Sequence, residues 1–280
     1  MIDTLTHALL ALVLAATLTD TTVQRVNDRR SAGHFSHLDI VLELPKVKSN
    51  DVAASRVLVS NASDETGRDL IDHENQEPQL ETNQRAGNDA AAPVAVSLTL
   101  KNPARAATKV KEVRGEIELY MPSKDPNSTA EVAKFLSFSG KPLAHKALKA
   151  NAVEIALVSP AQLAAEKKKM GDAKRKEYAE AGYEGESLDE VVKSYLESLL
   201  SLQEGDVLLR VKDPNKRIQE IVYVDGAGEV KRASMRDEEG FTLLSTWGEA
   251  VQPDWKLRVS LRTPKNLVRY AFALKDVPLP

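Results

Sequence analysis

Ser159-Pro-Ala-Gln-Leu-Ala-Ala-Glu-Lys-Lys-Lys-Met-Gly-Asp-Ala-Lys-Arg-Lys-Glu-Tyr-Ala-Glu180 reads as helix, and the rest of the chain is best read outward from it. A serine that can accept from free backbone N–H groups precedes a proline whose fixed φ suits the first helical position. Within Gln162–Glu180, Leu163, Met170 and Tyr178 form a thin apolar stripe among Lys167, Lys168, Lys169, Lys174, Arg175 and Lys176. Such a helix buries little and lies at the surface. Gly182 and Gly185 interrupt it. Ser187-Leu-Asp-Glu190 then has the Ser-x-x-Glu spacing of a reciprocal helix cap. Leu188, Val191, Val192, Tyr195, Leu196, Leu199 and Leu200 complete an apolar face at helical period, with Gly205 as the expected stop. That face predicts docking on a sheet.

Both flanks read as β-strand. On the N-terminal side, Leu38–Leu44, Arg56–Asn61, Val94–Leu100, Val110–Met121, Val132–Ser139 and Ala152–Val158 are candidates. The clearest is Val94-Ala-Val-Ser-Leu-Thr-Leu100, where alternate residues place Val94, Val96, Leu98 and Leu100 on one face of a half-buried sheet. On the C-terminal side come Asp206–Lys212, Ile218–Val224, a hairpin through Asp225-Gly-Ala-Gly228 into Glu229–Ala233, then Phe241–Trp247, Lys256–Thr263 and Leu267–Leu274. About six strands on each side suffice for a sandwich. The expected fold is therefore mainly β: two immunoglobulin-like β-sandwich domains, 36–158 and 205–280, joined by a helical segment over 159–204. The two β blocks show no residue-level repeat. Thr19–Ser36 reads as a polar lead-in and Asp72–Ala92 as a long loop.

A length of 280 residues and 30.7 kDa allows two modest cores. The net charge of −3 gives no overall field that would draw nucleic acid or an acidic membrane. Cysteine is absent, which removes disulfides, thiolate catalysis and Cys-ligated metal sites together. Ala8–Leu18 is an apolar run too short to span a bilayer but of the length found in a signal peptide, and Val13-Leu-Ala15 has small residues where cleavage would fall. The expectation is a signal peptide over 1–19, export to the periplasm or beyond, and no integral membrane span. An ordinary N-terminal helix is the competing reading, since Met1–His7 carries an acid and no Lys or Arg.

Asn61-Ala-Ser-Asp-Glu-Thr-Gly-Arg-Asp-Leu70, Gly115-Glu-Ile-Glu-Leu-Tyr-Met-Pro122 and Tyr270-Ala-Phe-Ala-Leu-Lys-Asp-Val-Pro-Leu-Pro280 resemble segments of uncharacterised exported bacterial β-sandwich proteins. The resemblance covers about half the chain. It implies a sandwich fold and export, and no catalytic residue.

Four groupings carry candidate chemistry. His34, His37 and Asp39 offer two imidazoles and a carboxylate, the donor types of a transition-metal site, against the plainer reading of solvated histidines. Asp64 and Asp69, with Glu65 and Asp72, crowd oxygen donors into one turn and would suit calcium, but the alternating order of a dedicated calcium loop is missing. The simpler alternative is that Asp64 and Gly67 shape a hairpin turn. Lys167–Lys176 is basic but lacks interleaved aromatics, so it reads as a solvated helix face rather than a nucleic-acid site. Trp247 and Trp255 flank the loop Gly248–Asp254 and either stack on a ligand such as a sugar ring or plug the sandwich core. No nucleophile elbow, zinc-protease helix, phosphate loop or dinucleotide fingerprint occurs. The leading expectation is a non-catalytic structural or protein-interaction module. A carbohydrate-binding module using the Trp247–Trp255 loop is one alternative, and a hydrolase with a carboxylate site is another.

Overall fold

A computed structural model of the chain describes residues 16–17 (backbone only), 21–30, 36–74, 78–82, 91–199 and 202–280. The expected leader therefore lies outside the described residues, except for the backbone of Ala16 and Thr17, and so does His34. The strands in chain order are β1 (Ala16–Thr17), β2 (Thr22–Arg29), β3 (His37–Lys48), β4 (Ala54–Asp64), β5 (Glu81–Thr82), β6 (Pro93–Leu100), β7 (Lys109–Tyr120) and β8 (Thr129–Ala133). After them come α1 (Lys146–Ala150), β9 (Glu154–Leu157), α2 (Pro160–Glu180), α3 (Gly185–Ser198), β10 (Val207–Lys212) and β11 (Ile218–Val224). The chain ends with β12 (Val230–Lys231), β13 (Ser234–Glu238), β14 (Phe241–Ser245), β15 (Lys256–Leu261) and β16 (Leu267–Pro278). The protein is mainly β, with four sheets among the described residues. No helix among the described residues is long and apolar enough to cross a membrane.

Two compact units form. Unit 1 is 1–124 with 264–280, and unit 2 is 125–263. This differs from the expected division into 36–158, 159–204 and 205–280, and strand pairing is the reason. β16 pairs with β7 rather than with the strands that precede it in sequence, while β8 and β9 pair with β15 and β10. The helices belong to unit 2 and do not join two domains.

Unit 1 has sheets ordered β1-β16-β7-β4-β5 and β2-β3-β6. Period-2 patterning builds its core. In β3, Leu38, Ile40, Leu42 and Leu44 are fully buried, and each faces an apolar residue of β6, from Leu38 opposite Leu100 to Leu44 opposite Val94. Each such side chain contributes about 1.5–3 kcal/mol relative to exposure. Val110, Val113, Ile117 and Leu119 of β7 and Phe272, Leu274 and Val277 of β16 complete the cluster. Gly115 of β7 faces a register shift in β4 where Leu58 O comes so close that a Cβ would lie 2.2 Å from it. The expected polar lead-in contains a strand: β2 pairs with β3 over seven registered residues, its side chains mostly exposed.

Unit 2 has sheets ordered β13-β14-β10-β9 and β12-β11-β15-β8. Ile155, Leu157, Leu209 and Leu244 from the first and Ala130, Val132, Ile221, Tyr223, Leu257, Val259 and Leu261 from the second share one core. The other face of the first sheet is also apolar. Leu208, Phe241 and Leu243 pack there against Leu199, Leu163, Met170, Tyr195 and Leu196 of the helical region, which is the docking that the helical period predicts. α2 starts as expected and more tightly, because Ser159 Oγ accepts from Gln162 N while Gln162 Oε1 accepts from Ser159 N. α3 starts earlier than expected, at Gly185, and the Ser187–Glu190 cap is not used; Ser187 Oγ instead donates to Glu184 O. The helix ends at Ser198, short of Gly205. Gly171 lets the two helices approach, since a Cβ there would lie 3.0 Å from Leu196 Cδ1. The strand expected over Val132–Ser139 stops at Ala133, where Lys134 turns left-handed and a 3-10 helix, Phe135–Phe138, follows.

Candidate functional site

The two tryptophans part company. Trp255 is 4% exposed and belongs to the core of unit 2, its ring 5.8 Å from that of Tyr223. Trp247 is 81% exposed. They do not form the two-ring platform that the sequence suggested, because Trp255, just before β15, keeps the alternation of Leu257 and Val259 and faces inward with them.

Trp247 sits on a turn that the surrounding chain over-determines. Past the end of β14, Glu249 N donates to Thr246 O, and the two central residues are both left-handed, Trp247 at φ 60° and Gly248 at φ 93°. Glycine takes that conformation freely; for a bulky side chain it costs about 1–2 kcal/mol. The turn is held by its neighbours. Trp247 N donates to Ser245 Oγ at 3.3 Å, Thr246 Oγ1 donates to Glu249 O with Gly205 O 3.4 Å away, and a Cβ on Gly205 would lie 2.0 Å from Glu249 O. A strained backbone thus holds an indole in solvent.

Polar groups gather around the same loops. In the turn Asp225–Glu229, Asp225 Oδ1 accepts from Ala227 N and Glu229 N, and Lys231 Nζ stands 3.5 Å from Asp225 and 3.6 Å from Glu229. The backbone N–H of Glu229 and the Lys231 ammonium together hold the Asp225 carboxyl below its ordinary range. Lys231 is raised by Asp225 first and then by Glu229 and Glu249, which places the Glu249 carboxylate in the same field. Asp254 reaches this turn too, since a Cβ on Gly226 would lie 2.2 Å from its Oδ2. Val230 of β12 and Met235 of β13 are exposed, and Ser234 of β13 faces Ser245, two residues before Trp247.

The metal candidates go elsewhere. His37 Nε2 lies 3.1 Å from Asp39 Oδ2, and Asp39 Oδ1 accepts from Thr99 Oγ1, so this pair forms cross-strand polar contacts on β3 and β6. Asp64 is fully buried. Its Oδ1 accepts from Thr66 N, Thr66 Oγ1 and Arg68 N, and its Oδ2 from Ala104 N. Burial raises its pKa, but the N–H groups of Ala104, Arg68 and Thr66 and the Thr66 hydroxyl outweigh that and hold the carboxyl below its ordinary range. Asp69 is turned to Ile71 N and His73 Nε2. Asp64 and Asp69 therefore organise a turn rather than converge on one ion. Among the described residues no group of three or more His, Asp or Glu is placed to hold a metal.

The other buried carboxylates are also engaged. Glu118, fully buried, lies between Arg56 at 2.6 Å and Arg269 at 2.9 Å, each directly opposite it on a neighbouring strand. Asp125 Oδ2 accepts from Thr263 Oγ1 at 2.7 Å. A cleft of about 340 Å³ opens in unit 1 between β4 and β6, lined by Val57, Val59, Ile71 and Leu98 with Arg56 and Glu81. The sequence did carry a signal for Trp247, because a Gly directly after it and beyond an apolar strand marks a left-handed turn. Comparison with protein-family models, curated proteins and solved structures found no match.

Proposed function

We propose that the chain is a non-catalytic binding module built from two immunoglobulin-like sandwiches, of the exported bacterial kind, and that Trp247 is its contact residue for a protein partner. Strand order supports the fold. In unit 1 the first, second and fifth strands of such a sandwich correspond to β2, β3 and β6, and the facing sheet to β16-β7-β4-β5. Unit 2 gives β9-β10-β14-β13 and β8-β15-β11-β12 in the same order.

The observation that carries the binding reading is the exposed indole on a strained turn. Strain of this kind persists where function uses it, and tryptophan in a polar rim is a typical anchor of protein interfaces. Asp225, Glu229, Glu249 and Asp254 supply polar groups on the neighbouring loops. A protein partner is favoured over a glycan because the second ring of a sugar platform, Trp255, is buried.

Trp247→Gly tests this without disturbing the turn, which glycine fits better. Affinity capture from the host envelope is expected to recover a partner with the wild-type chain and to lose it with the variant. Retention of the same partner by the variant overturns the reading. A change in tryptophan emission on adding soluble polysaccharide, absent from the variant, would instead favour the carbohydrate module.

A further inference from the structure

The two units share a strand order, yet neither takes its final strand from its own stretch of chain. β7 leads through 121–128 into β8, which pairs with β15 in unit 2; β15 leads through 262–266 into β16, which pairs with β7 in unit 1. Ordinary hairpins would have joined β7 to β8 and β15 to β16. We infer that the units are tandem sandwiches that have exchanged their last strands, and that folded unit 2 serves as the turn closing the β7·β16 ladder, so that unit 1 depends on it. The inference rests on the immunoglobulin-like reading for which strand counts as last.

Strand length selects the exchange. β7 and β16 each have 12 residues and β8 and β15 have 5 and 6. Exchanged, long matches long and short matches short. Unexchanged, most of β16 and most of the side of β7 that faces away from β4 would lose their backbone partners, and unpaired buried N–H and C=O groups are costly. This is domain swapping carried out within one chain.

The ends of unit 2 are tied together. The β7·β16 ladder runs up to Met121 N donating to Asn266 O, and the β8·β15 ladder begins with Leu261 N donating to Ser128 O. Between these rungs lies the bond from Thr263 Oγ1 to Asp125 Oδ2, with both residues buried, and Asp125 Oδ1 also accepts from Asn127 N. While unit 2 is folded, the path from β7 to β16 is short. When it unfolds, the same strands must be closed by a loop of roughly 140 residues in place of about six. Closure probability falls with roughly the three-halves power of loop length, which is about a hundredfold here.

The chain has no cysteine, so a single engineered pair reports cleanly. Arg114 and Ala273 face each other across β7 and β16, and both are exposed. In the full chain, Arg114→Cys with Ala273→Cys is expected to form a disulfide within one molecule. Failure to form it overturns the exchanged pairing, and with it the strand order of unit 1. Leu257→Asp is then added to unfold unit 2, with Phe135→Asp as a second lesion should the β11·β15 amides stay protected. With the cysteines reduced, hydrogen exchange of the slowest unit 1 amides is expected to speed up about a hundredfold. Oxidation, which closes the loop again, is expected to restore protection. Unit 1 protection that is unchanged while unit 2 is open overturns the dependence and leaves the exchanged pairing standing.

Discussion

The two units solve the same packing problem with opposite outer faces. In unit 1 the face of β4, β7 and β16 away from the core is polar, and its centre is the ladder Arg56–Glu118–Arg269 across three adjacent strands. In unit 2 it is the outer surface of the other sheet, the counterpart of β2-β3-β6, that stands out: on β10 and β14 it is apolar, so Leu208, Phe241 and Leu243 would face water if α2 and α3 did not cover them. A sandwich needs only its inner faces to be apolar. Unit 2 therefore has a third layer that its own outer face requires, and the thin stripe of α2 suffices because it supplies only Leu163 and Met170 to that layer.

The largest effect tests the partition itself. A fragment beginning at Ser187 keeps β10–β15 but loses β8 and β9 from the two sheets of unit 2, and it keeps β16 without its partner β7. It is expected to be unfolded by circular dichroism, with no cooperative melt. A folded fragment would show that β10–β15 close a sandwich alone and that the pairing of β8 and β9 is dispensable.

The next two predictions probe the outer faces. Leu243→Asp places a charge between the sheet and the helices of unit 2 and is expected to cost on the order of 4 kcal/mol. Glu118→Ala leaves two guanidinium groups without their carboxylate. Because the Arg269 side chain is 41% exposed and rehydrates, the expected cost is smaller, about 2–3 kcal/mol. Denaturant midpoints measure both. The comparison breaks if the polar ladder proves the more sensitive of the two.

The sequence announces what is local and periodic. Val94–Leu100 is legible because one face is buried and its partner face on β3 alternates equally well, and the face of α3 is legible because 3.6-residue spacing holds from Leu188 to Leu196. β2 and β13 are missed because Thr22–Arg29 and Ser234–Glu238 are polar edge strands held through backbone bonds, with no alternation to see. Which strand pairs with which is not local at all. β7 and β16 are separated by the whole of unit 2, and their match lies in length and register, which no window of ten residues contains. Trp247 and Trp255 are the same residue eight positions apart. Only the glycine after the first and the alternation after the second distinguish them.

The smallest effect concerns a feature that the units share. Asp64-Glu-Thr-Gly-Arg68 and Asp225-Gly-Ala-Gly-Glu229 are the same turn: the Asp carboxylate accepts from the N–H groups two and four residues on, its own carbonyl accepts from the glycine N–H, and that glycine stands at φ 87° or 88°. No residue but the Asp and the Gly is common to both, which is why the repeat is invisible in sequence. They differ in depth. Asp64 is fully buried and also accepts from Ala104 N, whereas Asp225 is partly open and shares Lys231. Asp64→Ala takes the acceptor from the part-buried N–H groups of Thr66, Arg68 and Ala104 and is expected to cost about 2 kcal/mol, while Asp225→Ala, whose N–H partners are exposed, costs less. Acid distinguishes them in the same direction. Both carboxyls are held below their ordinary range, so their contribution is complete above the unfolded value of about 4 and is lost as the pH falls through the folded value. Between neutral pH and about pH 2, wild type is expected to lose more stability than Asp64→Asn, which has no carboxyl to protonate there, and the gap should be narrower for Asp225→Asn. Equal acid sensitivity of wild type and Asp64→Asn would show that the buried turn contributes no more than the exposed one, and that depth does not distinguish the two units at this position.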